Sequence, residues 1–223
     1  MKEVSVVNLM VGGPDEQIPW DEVEKKADQT WVAVDYGAVR LLRHGIIPDY
    51  ALGDFDSSTD QERSKVKAAV DNIQQFPPEK DYTDTQLGLL TIQREYQYGQ
   101  VVVYGATGGR LDHLLANIFL PLAEPYRPSL TRLVLRDIGN SVRYFLPGQY
   151  EISKEPGMKY LAFVNLTPVE GLNLLDEKYP LSNWNCDYPV SWTSNEFRGE
   201  KNHFSLKKGI IAVVQCKDVE YLI

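Results

Sequence analysis

The first half of the chain alternates short apolar runs with amphipathic stretches. Residues 4–9 are rich in valine and end at Gly12-Gly13-Pro14, which predicts a strand followed by a turn. Trp20, Val23 and Ala27 are spaced for a helix over 20–27. Residues 31–34 predict a second strand running into Asp35, and 38–43 a short helix stopped by Gly45. A brief strand over 50–52 leads to Gly53-Asp54. Ser58-x-x-Gln61, overlapped by Thr59-x-x-Glu62, fits a capping box, in which a hydroxyl and an acid or amide satisfy free amides at a helix start. That helix runs through Val66, Ala69 and Val70. Residues 73–76 read as a strand, and Pro77-Pro78 forces an extended exit. Thr83-x-x-Gln86 is another capping box, opening a helix with Leu87, Leu90 and Arg94 along it. Residues 101–104 are the most strand-like run. They end at Gly105, and a helix with Leu111, Leu114, Leu115, Ile118 and Phe119 follows.

Repeated strand–helix units predict an α/β N-terminal domain with a parallel sheet flanked by helices. In such sheets ligands sit at the carboxyl ends of the strands, where the polar clusters of this chain fall. The second half has no long helical pattern. Short strand candidates at 132–135, 142–146, 160–166, 190–192, 203–206 and 210–215 are separated by Pro, Gly and Asn, which predicts an all-β, sandwich-like C-terminal domain. Pro121, Pro125 and Pro128 set the expected boundary, giving domains over 1–125 and 130–223.

Composition narrows the function. Hydrophobic residues are 43% and charged residues 24% of the 223, enough for a packed core. Lys+Arg number 23 against 31 Asp+Glu, a net charge of -8, which argues against a nucleic-acid partner and permits an acidic pocket for cations and metal-bound phosphates. The two cysteines, Cys186 and Cys216, form no Cys-x-x-Cys pair and read as reduced thiols. No apolar run approaches the roughly 20 residues of a membrane span. The amino terminus lacks a signal-peptide pattern, so a soluble cytoplasmic protein is expected.

Three segments carry candidate chemistry. Gly53-Asp54-Phe55-Asp56-Ser57-Ser58 places two carboxylates between a strand and a helix start. Carboxylates suit Mg²⁺, and helix-start amides favour phosphate; an ordinary acidic turn with a capping serine fits the spacing equally well. Lys80-Asp81-Tyr82-Thr83-Asp84 repeats the pattern at the next helix start, where Asp84 and Thr83 alone need be no more than dipole and cap. Two acid pairs converging on one sheet edge are costly without a cation, which favours a metal site. Gly105-Ala106-Thr107-Gly108-Gly109-Arg110-Leu111-Asp112-His113 offers glycines for close approach to phosphate and a guanidinium to grip it. It matches neither a Walker A loop nor the dinucleotide fingerprint. Gly-x-Ser-x-Gly, His-Glu-x-x-His and Cys-x-x-Cys are absent from the sequence.

GDFDSS, KDYTD and GATGGRLDH, in this order and spacing, resemble bacterial-type thiamine pyrophosphokinases. Thr193-Ser194-Asn195-Glu196-Phe197 resembles that family's Ser-Asn-Glu-Phe signature, and Lys178-Tyr179-Pro180-Leu181 its Lys-Tyr-Pro-Leu strand. The motifs span about Asp35 to Phe197. The resemblance implies a catalytic, nucleotide-binding α/β domain, a thiamine-binding β-sandwich, and a homodimer with shared active sites. It implies transfer of the pyrophosphoryl group of ATP to the thiamine hydroxyl, with Mg²⁺ as cofactor and AMP released. By motif, Asp54, Asp56, Asp81 and Asp84 are the catalytic and metal residues. Asp35, Lys80, Thr83, Gly108, Arg110, Asp112 and His113 fall to the nucleotide, and Ser194 and Asn195 to thiamine. Trp184 and Trp192 could stack on the cationic thiamine ring, although a strand Trp is more often core. Two departures stand out: Asp35-Tyr36-Gly37-Ala38 replaces the family's Asp-Gly-Gly-Ala, and Asp176-Glu177 precedes Lys178 in place of Gly-Leu. Another nucleotide-dependent transferase or phosphohydrolase would release ADP rather than AMP, and a non-catalytic sensor has no need of acids at every motif.

Overall fold

The structure is a computed structural model that describes residues 1–76 and 82–219. The chain divides into two compact units, Met1–Asp137 and Ile138–Ile223.

In the first unit β1 (Lys2–Met10), β2 (Thr30–Val34), β3 (Tyr50–Gly53), β4 (Ile73–Gln75), β5 (Tyr96–Tyr104) and β6 (Leu133–Arg136) alternate with α1 (Trp20–Glu24), α2 (Tyr36–Arg43), α3 (Asp60–Ala69), α4 (Asp84–Glu95) and α5 (Leu111–Phe119). The strands lie in the order β6-β5-β1-β2-β3-β4, and every pairing in this series is parallel. Val7 faces Val101 and Met10 faces Tyr104 across β1 and β5, so the carboxyl ends of these central strands finish level. Both strands are buried over their last residues, as the valine runs require of a sheet covered on two faces.

Local capping sets the helix starts. At α3, Thr59 Oγ1 accepts from Glu62 N at 3.3 Å while Glu62 Oε2 accepts from Thr59 N at 2.9 Å. Of the two overlapping boxes in the sequence, this is the one that forms. At α4, Thr83 and Gln86 repeat the arrangement. α1 stops at Glu24, short of the expected Ala27. The turn that follows offers the Lys26 carbonyl to the fully buried Trp31 indole at 2.9 Å, a partner that ring needs.

β6 departs from expectation. Residues 132–135 read as part of the antiparallel half, but β6 pairs parallel with β5, Val101 facing Leu133. Leu133, Val134 and Leu135 are buried, so the first unit extends past the proline cluster to Asp137.

The second unit is all β: β7 (Asn140–Phe145), β8 (Gly148–Ser153), β9 (Tyr160–Asn165), β10 (Val169–Leu174), β11 (Leu181–Cys186), β12 (Val190–Glu196), β13 (Lys201–Leu206) and β14 (Ile211–Cys216). They form two antiparallel layers, β12-β9-β14-β7 and β11-β10-β13-β8. Leu161, Phe163, Ile211 and Val213 of one layer meet Leu172, Leu174, Phe204 and Leu206 of the other in a shared core. β8, β10 and β11 were not legible in the sequence: β8 alternates with polar residues, Gly171 interrupts β10, and β11 is a half-exposed edge strand carrying Asn183 and Asn185. Among the described residues no helix is long and apolar enough to cross a membrane.

Candidate active site

The carboxyl ends of β1, β2, β3 and β5 open into a cleft of about 970 Å³ in the first unit. Its floor is pinned by main-chain bonds: Val11 N donates to Tyr104 O and Gly13 N to Gly105 O, each at 2.9 Å. Asp35 follows β2 and caps α2 with φ +47°, a left-handed conformation rare for a side chain larger than glycine. Its N–H donates to Leu52 O at 2.7 Å, and its Oδ1 accepts from Phe55 N at 3.4 Å. Phe55, φ +57°, is buried and turns Asp54 and Asp56 to different surroundings. Asp54 lines the cleft and accepts from Asp56 N at 3.0 Å. Asp56 is exposed, lies outside the cleft lining, and accepts from the Ser57 hydroxyl at 3.1 Å.

Asp84, at the start of α4, hydrogen-bonds the Asp35 carboxyl. Burial, followed by the Asp84 bond and charge, pushes Asp35 up to about 8. Two carboxyls this close share a proton or a cation. Among the described residues no three His, Cys, Asp or Glu side chains converge on one point. Mg²⁺ takes one or two carboxylates and completes its shell with water and phosphate oxygens, so the Asp35–Asp84 pair with Asp54 beside it fits that ion. Lys80 and Asp81 lie outside the described residues. Thr83 lines the cleft and caps α4.

The glycine-rich turn after β5 forms the opposite wall. Gly108 and Gly109 adopt φ +75° and +64°. Thr107 Oγ1 donates to the buried Asp137 carboxylate, and Asn117 Nδ2 donates to Ala106 O at 2.8 Å. Arg110 pairs with Asp112, both largely exposed, and that guanidinium holds the Asp112 carboxyl below the usual range. His113 is exposed at the cleft, its N–H donating to Asp112 Oδ1 at 3.0 Å. Tyr36 sits in the cleft wall between the guanidinium groups of Arg40 and Arg43, 5.1 and 5.3 Å from its ring. The close approach survives at its neighbour, because a Cβ on Gly37 would lie 2.5 Å from Met10 O.

In the second unit, Ser194 is exposed at φ +59°. Asn195 is buried: its Oδ1 accepts from Tyr179 N at 2.9 Å and Glu196 N at 3.0 Å, and its Nδ2 donates to Tyr179 O at 2.8 Å. Its carboxamide thus ties the Tyr179-Pro180-Leu181 segment to β12. Trp184 and Trp192 meet edge to face, ring centroids 5.3 Å apart.

Residues 22–131 match the family described as thiamin pyrophosphokinase, catalytic domain, and residues 149–211 match thiamin pyrophosphokinase, vitamin B1 binding domain. The chain belongs to the thiamine pyrophosphokinase family. It is 36% identical over 221 residues to the thiamine pyrophosphokinase of Bacillus subtilis (strain 168), covering 96% of this chain and 100% of that one. A thiamin pyrophosphokinase family protein from Enterococcus faecalis is similar in structure, with TM-score 0.89 and 41% identity over 96% of this chain and 100% of that chain. The yeast thiamin pyrophosphokinase shares the fold, with TM-score 0.75 at 17% identity, over 96% of this chain and 86% of that chain. Family membership makes the chain an enzyme of pyrophosphoryl transfer, with thiamine and ATP as substrates.

The cleft gathers Asp35, Asp54, Thr83, Asp84, Gly108, Arg110, Asp112 and His113. It also contains residues that the motifs do not mark: Gly12 and Gly13 after β1, Arg40 on α2, and Asn117 on α5. The Gly12-Gly13 turn was within reach of the rule that ligands sit at strand ends. Arg40 and Asn117 are single polar residues in helical stretches and carry no such signal.

Proposed function

We propose that the cleft of the first unit is the Mg²⁺-ATP site, with Asp35, Asp54 and Asp84 on the metal side and the Gly105–Asp112 wall on the nucleotide side. The hydrogen-bonded Asp35–Asp84 carboxyl pair carries this reading, since ionising both acids in a half-buried position calls for a cation. Mg²⁺, when bound, neutralises phosphate oxygens around the β-phosphorus. The protein's own share is positioning: the Gly12-Gly13 turn lines the cleft with no side chain to hold phosphates off, and the long, exposed Arg110 can leave Asp112 for a phosphate oxygen. Asp84 orients the thiamine hydroxyl for in-line attack: its oxygen bonds to the β-phosphorus, its proton is released to water, and the bond from that phosphorus to the α–β bridge oxygen breaks so that the bridge oxygen leaves with AMP. Asp81 and Lys80 belong to the same reading by motif. Asp56, exposed and outside the cleft lining, supports the Asp54 turn through its main-chain N–H.

The thiamine side is assigned to the second unit, with Ser194 beside the segment that Asn195 braces. The active enzyme is a cytoplasmic homodimer with shared active sites. Its dimerisation is supported by Leu111, Leu115 and Phe119, which leave an exposed apolar stripe along α5, 67%, 43% and 44% accessible, next to cleft residues Asp112 and His113. The test is a product assay with ATP, thiamine and Mg²⁺, repeated with Asp84→Asn. AMP and thiamine diphosphate from the wild type and steep loss in the variant are expected. Full turnover in chelator, or in Asp84→Asn, sinks the metal assignment.

A further inference from the structure

Asn117 is 8% exposed on α5 and lines the cleft. Its Nδ2 donates to the Ala106 carbonyl at 2.8 Å. A carbonyl only accepts, so this bond fixes the carboxamide with its nitrogen toward the turn and Oδ1 away from it. Among the described residues Oδ1 has no hydrogen-bond partner, and it is not sealed from solvent. A directed acceptor therefore opens into the nucleotide wall of the cleft, and it needs a donor.

We propose that Asn117 Oδ1 accepts a hydrogen bond from the 6-amino group of adenine and so selects adenine over hypoxanthine and guanine nucleotides. This rests on the reading of the cleft as the ATP site. Phosphates carry no donor to offer. The acids that would hold the metal lie at the ends of β2 and β3, two to three strand spacings from β5, roughly 10–14 Å away. That is far enough to put the phosphates at one end of the cleft and the base at the other. Ala106, whose carbonyl holds the Asn117 amide, and Ala116, its neighbour on α5, both line the cleft and are small, which leaves room for a flat ring. Hypoxanthine and guanine present a carbonyl where adenine presents its amine, so acceptor would face acceptor, a mismatch that a hydrogen-bonding site rejects strongly.

Calorimetric titration with AMP and IMP tests this without metal or turnover. The wild type should bind AMP roughly 10–100-fold more tightly than IMP. In Asn117→Leu the two affinities should converge to within about 2-fold. Asn117→Asp loses the bond to Ala106 but keeps an acceptor, and should keep the preference for AMP. If Asn117 only braces the turn, the leucine variant binds both nucleotides more weakly at an unchanged ratio, which overturns the proposal. Should the leucine variant not fold, the aspartate variant decides: a lost preference there overturns it as well. Wild-type protein that binds AMP and IMP alike overturns this inference alone. Wild-type protein that binds neither overturns the nucleotide reading beneath it.

Discussion

Asp35 Oδ1 occupies the place that a side chain at position 53 would need: a Cβ built on Gly53 falls 1.8 Å from it. Gly53 also holds φ +135°, a conformation that side chains rarely adopt. The glycine that opens the Gly-Asp-Phe-Asp segment thus makes room for a carboxylate from the neighbouring strand end. Gly53→Ala should displace Asp35, cost about 2–4 kcal/mol of stability, and reduce turnover steeply. Urea denaturation together with the product assay checks this. A variant with wild-type stability and turnover would show that the loop relaxes around the methyl group.

That relationship marks how far the sequence could be read. Asp54, Asp84 and the Gly105–Arg110 turn were legible because they sit in compact motifs at strand ends, and the periods of 2 and 3.6 around them set the α/β order. The meeting of Asp35 with Asp84 depends on β2 lying beside β3 with α4 returning over the sheet, which no local pattern encodes. The same holds for β6, whose apolar run suits a parallel or an antiparallel partner equally. In the second unit, Gly171 in β10 and the asparagines of the exposed edge strand β11 dilute the alternation that announces a strand.

Asp35 sets a pH dependence. Its carboxyl has an ordinary pKa of 3.8 and is pushed up to about 8 in the folded protein, mainly by burial and then by Asp84. Between those values the folded state holds a proton that the unfolded state has released, so metal-free stability falls as pH rises through this window. Asp35→Asn removes the ionisation. It should leave stability near pH 4 unchanged and raise it at pH 8 by about 1–2 kcal/mol, an amount reduced by the partial exposure of the group. Its turnover should collapse, and Mg²⁺ should no longer raise its melting temperature. Equal pH profiles for variant and wild type in denaturant titrations would mean that Asp35 ionises normally.

Asn195→Ala should act on the second unit through structure. The side chain is buried with three hydrogen bonds to the main chain of Tyr179 and Glu196, and truncation leaves those groups unpaired. A loss of about 1–3 kcal/mol in stability is expected. The KM for thiamine should rise more than that for ATP, because Ser194 and the Tyr179 segment move together. Unchanged thermal unfolding, or equal losses for both substrates, would separate Asn195 from the thiamine side.

The apolar stripe of α5 offers the last test. Leu111, Leu115 and Phe119 recur four residues apart and therefore share one helix face, yet each is exposed in the single chain. A charge placed in the middle of a buried interface costs enough to dissociate it, so Leu115→Glu should weaken self-association by about 100-fold or more, roughly 3 kcal/mol. Light scattering across a concentration series should then find a dimer in the wild type and a monomer in the variant. The fold should persist, because an exposed position tolerates a polar residue and Glu suits a helix. Nucleotide binding should also persist, since the cleft residues come from one unit of one chain. Turnover should fall if active sites are shared between subunits. Mixing Asp84→Asn with Asn195→Ala chains sharpens the point: a shared arrangement leaves one intact site per mixed dimer and recovers part of the activity. A Leu115→Glu monomer with full turnover, or verified mixed dimers with none, would place the whole active site within one chain.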